Sequence, residues 1–158
     1  MKLYTSYYAN YKNIPADYMC IGISQVCPFT DLNAGSFYSN FVFYKDNMLA
    51  PSRELLSGFK AGKYTSQEYK KMYVTRIFEF LEASGETLPE WVSKLEEAYA
   101  KWKGIVFLCY ESPDKFCHRH IFSKLLNLYG IPCDEYGVDA CNEHEHVPDA
   151  SMASVELF

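Results

Sequence analysis

Within the stretch LCYESPDKFCHRH, residues 108–120, lie two of the chain's six cysteines, two of its four histidines, a glutamate and an arginine. Cys117, His118 and Arg119 follow a polar loop and open a segment with helical periodicity, which puts them in the first turn of a helix. Unpaired backbone N–H groups and the helix dipole favour negative charge there. Such a turn holds a phosphate, a carboxylate or a thiolate. A cysteine so placed, with an adjacent histidine, has a route to a lowered pKa and to nucleophilic character. Cys117 and Glu111 are therefore candidates for nucleophile or base, and His118 for proton carrier. The guanidinium of Arg119 needs either an anionic ligand or an acidic neighbour such as Glu111, and is read as an anion clamp. The plainer reading stands beside these: His118 as a structural hydrogen-bond partner, and Cys109, at the end of an apolar run, as core filler.

Other elements must hold this window in place. Ile105 to Tyr110 is continuously apolar between breakers, as in a strand buried on both faces of a parallel sheet. Lys2 to Ser6 and Tyr18 to Ser24 read as further strands. Gln25 to Ala50 lacks helical periodicity and reads as an aromatic loop or small subdomain over the sheet. Ser52 to Leu56 begins a short helix stopped by Gly58 or Gly62. Thr65 with Glu68 forms a capping box ahead of Tyr69, Met72, Tyr73, Ile77, Phe80 and Leu81, closed by Gly85. Pro89 suits a first helical turn, and Trp91, Val92, Leu95, Tyr99 and Trp102 continue an apolar face to Gly104. A helix from Cys117 to Gly130 and a strand within Ile131 to Val138 complete an α/β domain over 1–138, followed by a polar C-terminal tail over 139–158.

In open parallel sheets ligands bind beyond the carboxyl ends of the strands. That rule adds Ser6 and Tyr7 after the first strand, Ser24 and Gln25 after the second, and Cys109 at the end of the buried one, as ligand-binding candidates. Tyr7 or Tyr8 could stack on a ring.

With 158 residues, 49% of them hydrophobic and 17% aromatic, the chain has the composition of a single globular domain. A net charge of −5 disfavours a general nucleic-acid binder but leaves room for a local site for a small anion. No segment approaches the roughly 20 apolar residues of a membrane span, and no signal-peptide pattern opens the chain, so the expectation is a cytoplasmic protein with thiols rather than disulfides. Cys133, Cys141, His144 and His146 contain a C-x-x-H-x-H cluster and offer the ligand types of a zinc site, but they lack a second close cysteine pair, so solvated acidic-histidine sequence is the default and neither metal nor cofactor is expected.

The LCYE strand end and the FCHRH helix start, with YTSYYANYK and LAPSRELLSGFKAGKYTSQEYKKMY, resemble the uncharacterised domain-of-unknown-function family 488, in its phage- and bacterium-borne branch. The resemblance runs to about Val138 and implies a compact Rossmann-like α/β domain with a mainly parallel sheet flanked by helices. Cys109, Glu111, Cys117, His118 and Arg119 match its signature. It departs at Gln25, three residues before Pro28, where many members carry arginine. The expected function is binding of a small phosphorylated or nucleotide-like ligand, with hydrolysis or group transfer if there is chemistry. The alternatives are a non-catalytic ligand-sequestering or protein-interaction module, and a nucleic-acid processing factor.

Overall fold

A computed structural model of the chain describes residues 1–29, 39–44 and 47–137. Five strands form one sheet: β1 (Lys2–Tyr7), β2 (Tyr18–Gly22), β3 (Phe41–Phe43), β4 (Gly104–Cys109) and β5 (Cys133–Glu135). Their order is β3-β2-β4-β1-β5, and every pairing is parallel. The helices are α1 (Arg53–Lys60), α2 (Ser66–Ser84), α3 (Leu88–Ala98) and α4 (His118–Leu128). This is the α/β, Rossmann-like architecture expected from the alternation of patterns.

The apolar run of β4 makes it the centre of the sheet, because only a central strand covered on both faces buries all six residues. Ile105, Phe107 and Cys109 face one side with Leu3, Met19, Ile21 and the buried residues of all four helices. Val106 and Leu108 face the other with Tyr8, Tyr11, Ile14, Tyr18, Cys20 and Phe41. That second face is covered by aromatic side chains and a short 3-10 helix, Tyr8–Asn13, whose residues carry no helical periodicity.

The connections explain where a crevice must form. The chain leaves β2 outward to β3, whereas it leaves β4 through α4 in the opposite direction, past β1, to β5. Adjacent strands whose exits diverge leave a gap beyond their carboxyl ends. Here the two strands are β2 and β4, and the loops at the gap begin at Ile23 and Tyr110.

Helix boundaries follow local chemistry. Ser52 caps α1 by accepting the Leu55 N–H at 3.1 Å. The Thr65–Glu68 capping box opens α2, and a second box, Thr87–Glu90, opens α3. Gly85 takes φ +71 at the end of α2, a left-handed conformation that favours glycine. Of the two stops expected for α1, Gly58 lies inside the helix and Gly62, with φ +76, makes the break. One expectation is corrected. The third helix stops at Ala98 instead of reaching Trp102, because Lys103 N–H is drawn to the Asp17 carbonyl at 2.8 Å and β4 starts at Gly104. Trp102 still packs on the core from that turn.

The Gln25 to Ala50 segment is more than a loop, since it contributes edge strand β3. Asn40 secures it: its backbone carbonyl accepts the Cys20 N–H at 2.7 Å, its side-chain amide donates to the Tyr18 carbonyl at 3.0 Å, and its Oδ1 accepts from the Tyr11 hydroxyl. Val138 and the polar tail over 139–158 fall outside the described residues. No helix among the described residues is long and apolar enough to cross a membrane.

Gly104 is the tightest point of the sheet. It pairs with Lys2 on one side and Tyr18 on the other, and an added Cβ would stand 2.7 Å from the Lys2 carbonyl oxygen and 2.7 Å from the Tyr18 ring. Backbone cannot yield as a flexible side chain would. Gly104→Ala is expected to cost about 1–3 kcal/mol, read as a lower urea midpoint with an unchanged m-value.

Candidate functional site

The crevice beyond β2 and β4 holds a cavity of about 680 Å³, within the usual range for a small-molecule site. Ser24, Gln25, Cys109, Glu111, Cys117 and His118 line it, so six of the nine residues singled out from the sequence converge. Phe59 and Lys60 from α1, Tyr69 from α2, and Tyr110, Lys115 and Phe116 from the loop after β4 complete much of the wall. The sequence had assigned Tyr69 to a helix core stripe, and no local signal marked Phe59 or Lys60 as cavity residues. Only the packing of α1 and α2 over the strand ends brings them here.

The floor is a cluster of two cysteines and a histidine. Cys109 ends β4, Cys117 is the N-cap residue of α4, and His118 is the first residue of that helix. The Sγ atoms of Cys109 and Cys117 lie 3.7 and 3.9 Å from His118 Nδ1. His118 Nε2 is 2.7 Å from the Ile23 carbonyl oxygen. A carbonyl can only accept, so Nε2 carries the proton and, in the neutral ring, Nδ1 presents its lone pair to both sulfurs. The Tyr73 ring stands edge-on to the imidazole at 5.4 Å and helps hold its plane.

The two thiols are pushed apart in acidity. Cys117 is held well below the ordinary thiol range, first by a hydrogen bond from Cys109, then by His118 and by the Arg119 backbone N–H, against the opposing effect of burial. Cys109 is pushed up, first by that same hydrogen bond and then by burial and by the charge of Cys117. One sulfur therefore takes the thiolate and the other keeps the proton that stabilises it.

Around the cluster the polar groups form a short relay. The Ser24 hydroxyl donates to the Val26 carbonyl at 2.8 Å and accepts from the Tyr8 hydroxyl at 2.6 Å. Tyr110 crosses the same loop and donates to the Val26 carbonyl at 2.8 Å. The Gln25 amide donates to the Pro51 carbonyl, joining the loop after β2 to the approach of α1.

Arg119 stands elsewhere. Its side chain is 0% exposed and outside the cavity lining. Nη2 meets Glu135 Oε1 at 2.9 Å, Nε meets Glu135 Oε2 at 3.3 Å, and Nη1 donates to the Glu111 carbonyl. The acidic neighbour the guanidinium requires is thus Glu135 on β5, with Glu111 contributing its backbone and leaving its carboxylate exposed at the cavity. Thr5 Oγ1 donates to Glu135 Oε2 at 2.5 Å and closes the arrangement. Tyr7 lies under the guanidinium, 5.9 Å from ring centroid to Cζ, and Ser6 is buried on β1, accepting from Asn10. Neither Ser6 nor Tyr7 lines the cavity. Cys133 is buried in β5 apart from the thiol cluster, while Cys141, His144 and His146 lie outside the described residues.

Two measurements follow. Glu135→Ala strands a buried guanidinium and is expected to cost about 3–5 kcal/mol in chemical denaturation, whereas Arg119→Met with Glu135→Leu recovers most of that loss. Iodoacetamide modification of Cys117, mapped by mass spectrometry, is expected to change less than about two-fold between pH 8 and pH 6, where an ordinary thiol slows about 75-fold. Cys109→Ala removes the thiol that donates to the thiolate and restores a steep pH dependence.

No curated protein and no solved structure matches the chain. A family model described as the active DUF488-N3 subclade matches residues 41–130, from β3 through the thiol cluster to the end of α4. That is more than half of the 158 residues, and the chain belongs to the DUF488 family.

Proposed function

We propose that the cavity binds a small phosphorylated or nucleotide-like molecule and that Cys117 is the nucleophile of a hydrolysis or group transfer on it. The observation that carries this reading is the composition of one wall against another. A polarised thiol–imidazole cluster forms the floor, Phe59, Tyr69 and Phe116 form an apolar aromatic side, and the exposed cations Lys60 and Lys115 stand at the cavity with Glu111. A planar ring suits the aromatic side, and a phosphate suits the lysines.

The chemistry uses groups already in place. Cys117 Sγ attacks the electrophilic atom of the ligand as the thiolate, and as the bond to the leaving group breaks that group takes the proton Cys117 has already given up to His118 Nδ1. Water or a second acceptor then takes the transferred group from sulfur, with Nδ1 receiving the proton of the incoming hydroxyl and Cys117 restored. The Ile23 carbonyl keeps the ring in the tautomer this requires. The description of the matching subclade as active agrees with an intact reactive cluster.

Protection of Cys117 from iodoacetamide by a panel of nucleoside monophosphates tests the binding step. Protection is expected at millimolar ligand or below, weakening about ten-fold in Lys60→Ala and in Lys115→Ala and falling as salt is raised. Cys117→Ser is expected to retain the ligand and lose turnover. Turnover undiminished by that change would remove the thiol mechanism, and ligand protection with no turnover in the wild-type protein would leave a binding protein alone. No protection by any monophosphate would remove the ligand class.

A further inference from the structure

Cys109, Cys117 and His118 are the one group of three His, Cys, Asp or Glu side chains among the described residues whose ligand atoms all come within reach of a single ion, at no more than 4.8 Å from one another. All three residues are buried. A tetrahedral zinc ion holds thiolate sulfur at about 2.3 Å and imidazole nitrogen at about 2.0–2.1 Å, which places sulfur and nitrogen about 3.6 Å apart. The two sulfur–nitrogen separations here are 3.7 and 3.9 Å, so each sulfur needs to close on the nitrogen by only a few tenths of an ångström, and the two sulfurs lie within 4.8 Å of each other.

The histidine is set up for the same task. Its Nε2–H is committed to the Ile23 carbonyl at 2.7 Å, and its Nδ1 lone pair points between the sulfurs. A ligating histidine commonly gives its other N–H to a carbonyl, which fixes the ring and raises its basicity. Two thiolates and a neutral imidazole also match soft divalent cations rather than magnesium or calcium.

We infer that Cys109, Cys117 and His118 form a binding site for a soft divalent cation of the zinc class, with a fourth coordination position open to the cavity. All three side chains line that cavity, so an exchangeable ligand can complete the tetrahedron from its side. Binding expels the protons still on the two sulfurs. It also makes Cys117 a ligand rather than a nucleophile, so metal and thiol chemistry are alternative states of one cluster. The inference takes the site assigned above but does not depend on what organic molecule the cavity accepts.

Cobalt(II) is the probe, added to chelator-treated protein with its thiols reduced. One equivalent is expected to give thiolate-to-cobalt charge-transfer absorption and the intense visible bands of a tetrahedral site, both abolished by stoichiometric zinc. Cys109→Ser and Cys117→Ser should each remove about half of the charge-transfer intensity, while Cys27→Ser, outside the cluster, leaves it whole. Zinc should slow iodoacetamide modification of wild-type Cys117 at least ten-fold. A folded, reduced wild-type protein that shows no charge-transfer band in excess cobalt overturns the site, and so do bands that survive loss of both cysteines. Because metal is absent from the monophosphate protection assay, failure here leaves the ligand-binding reading standing, and failure there leaves this one.

Discussion

The buried ion pair of Arg119 and Glu135 is the constraint on which the site is hung. Placing a guanidinium and a carboxylate in the interior forfeits their hydration, and the arrangement holds only because nearly every donor and acceptor is answered. Glu135 meets the guanidinium with both oxygens and also accepts from Thr5, while the remaining edge of the guanidinium goes to the Glu111 carbonyl. These contacts tie four pieces of chain: the first turn of α4, edge strand β5, its neighbour β1, and the loop that leaves β4. A three-residue strand such as β5 has little ladder of its own, and Glu135 supplies the side-chain attachment it lacks.

Fixing Arg119 fixes what precedes it. On a helix the next residues toward the N-terminus turn away from the Arg119 side, so Cys117 and His118 are directed to the cavity while the arginine is directed to β5. His118 then finds the Ile23 carbonyl at the end of β2, and that hydrogen bond, with the one from Tyr110 to the Val26 carbonyl, bridges the two sides whose divergence creates the crevice. Fold topology and side-chain chemistry meet in one imidazole: the sheet decides that β2 and β4 end side by side, and the carbonyl of one strand end decides which nitrogen faces the thiols of the other. His120, one residue beyond Arg119, shows the cost of crowding charge into a single turn. Its Nε2 is buried without a hydrogen-bond partner, and burial, with Arg119 next, lowers its pKa.

The parts of this structure written in local pattern were readable from the sequence. β4 is a continuous apolar run, α2 has its capping box and its stripe of Tyr69, Tyr73 and Ile77, and α4 begins at the CHR turn. The strand-end rule also picks out Ser24, Gln25 and Cys109 at the cavity, whereas Ser6 and Tyr7, named by the same rule, lie outside its lining. Non-local features were not readable. β3 has three residues in an Asn-, Phe- and Gly-rich stretch, too few to display a two-residue period, and it exists because Asn40 joins it to β2 and Tyr11. The partner of Arg119 lies 16 residues away on another short strand, whereas the nearby Glu111 was the acid that sequence proximity suggested. The aromatic side of the cavity belongs to helices whose periodicity reports only that a face is covered, not whether protein or ligand covers it.

Gln25 brings these points together. It is the position at which the chain departs from the arginine that the family resemblance implies, and an arginine there would put a fixed positive charge beside Ser24 on the β2 side of the cavity. In this chain the side-chain amide instead donates to the Pro51 carbonyl and braces the wall. Cationic groups at the cavity come from the opposite walls, Lys60 at the end of α1 and Lys115 in the loop before α4. A flexible ammonium group attracts an anion without imposing the bidentate geometry of a guanidinium. The thiol–imidazole floor of this cavity therefore faces flexible ammonium groups and a neutral amide that the Pro51 carbonyl holds in place.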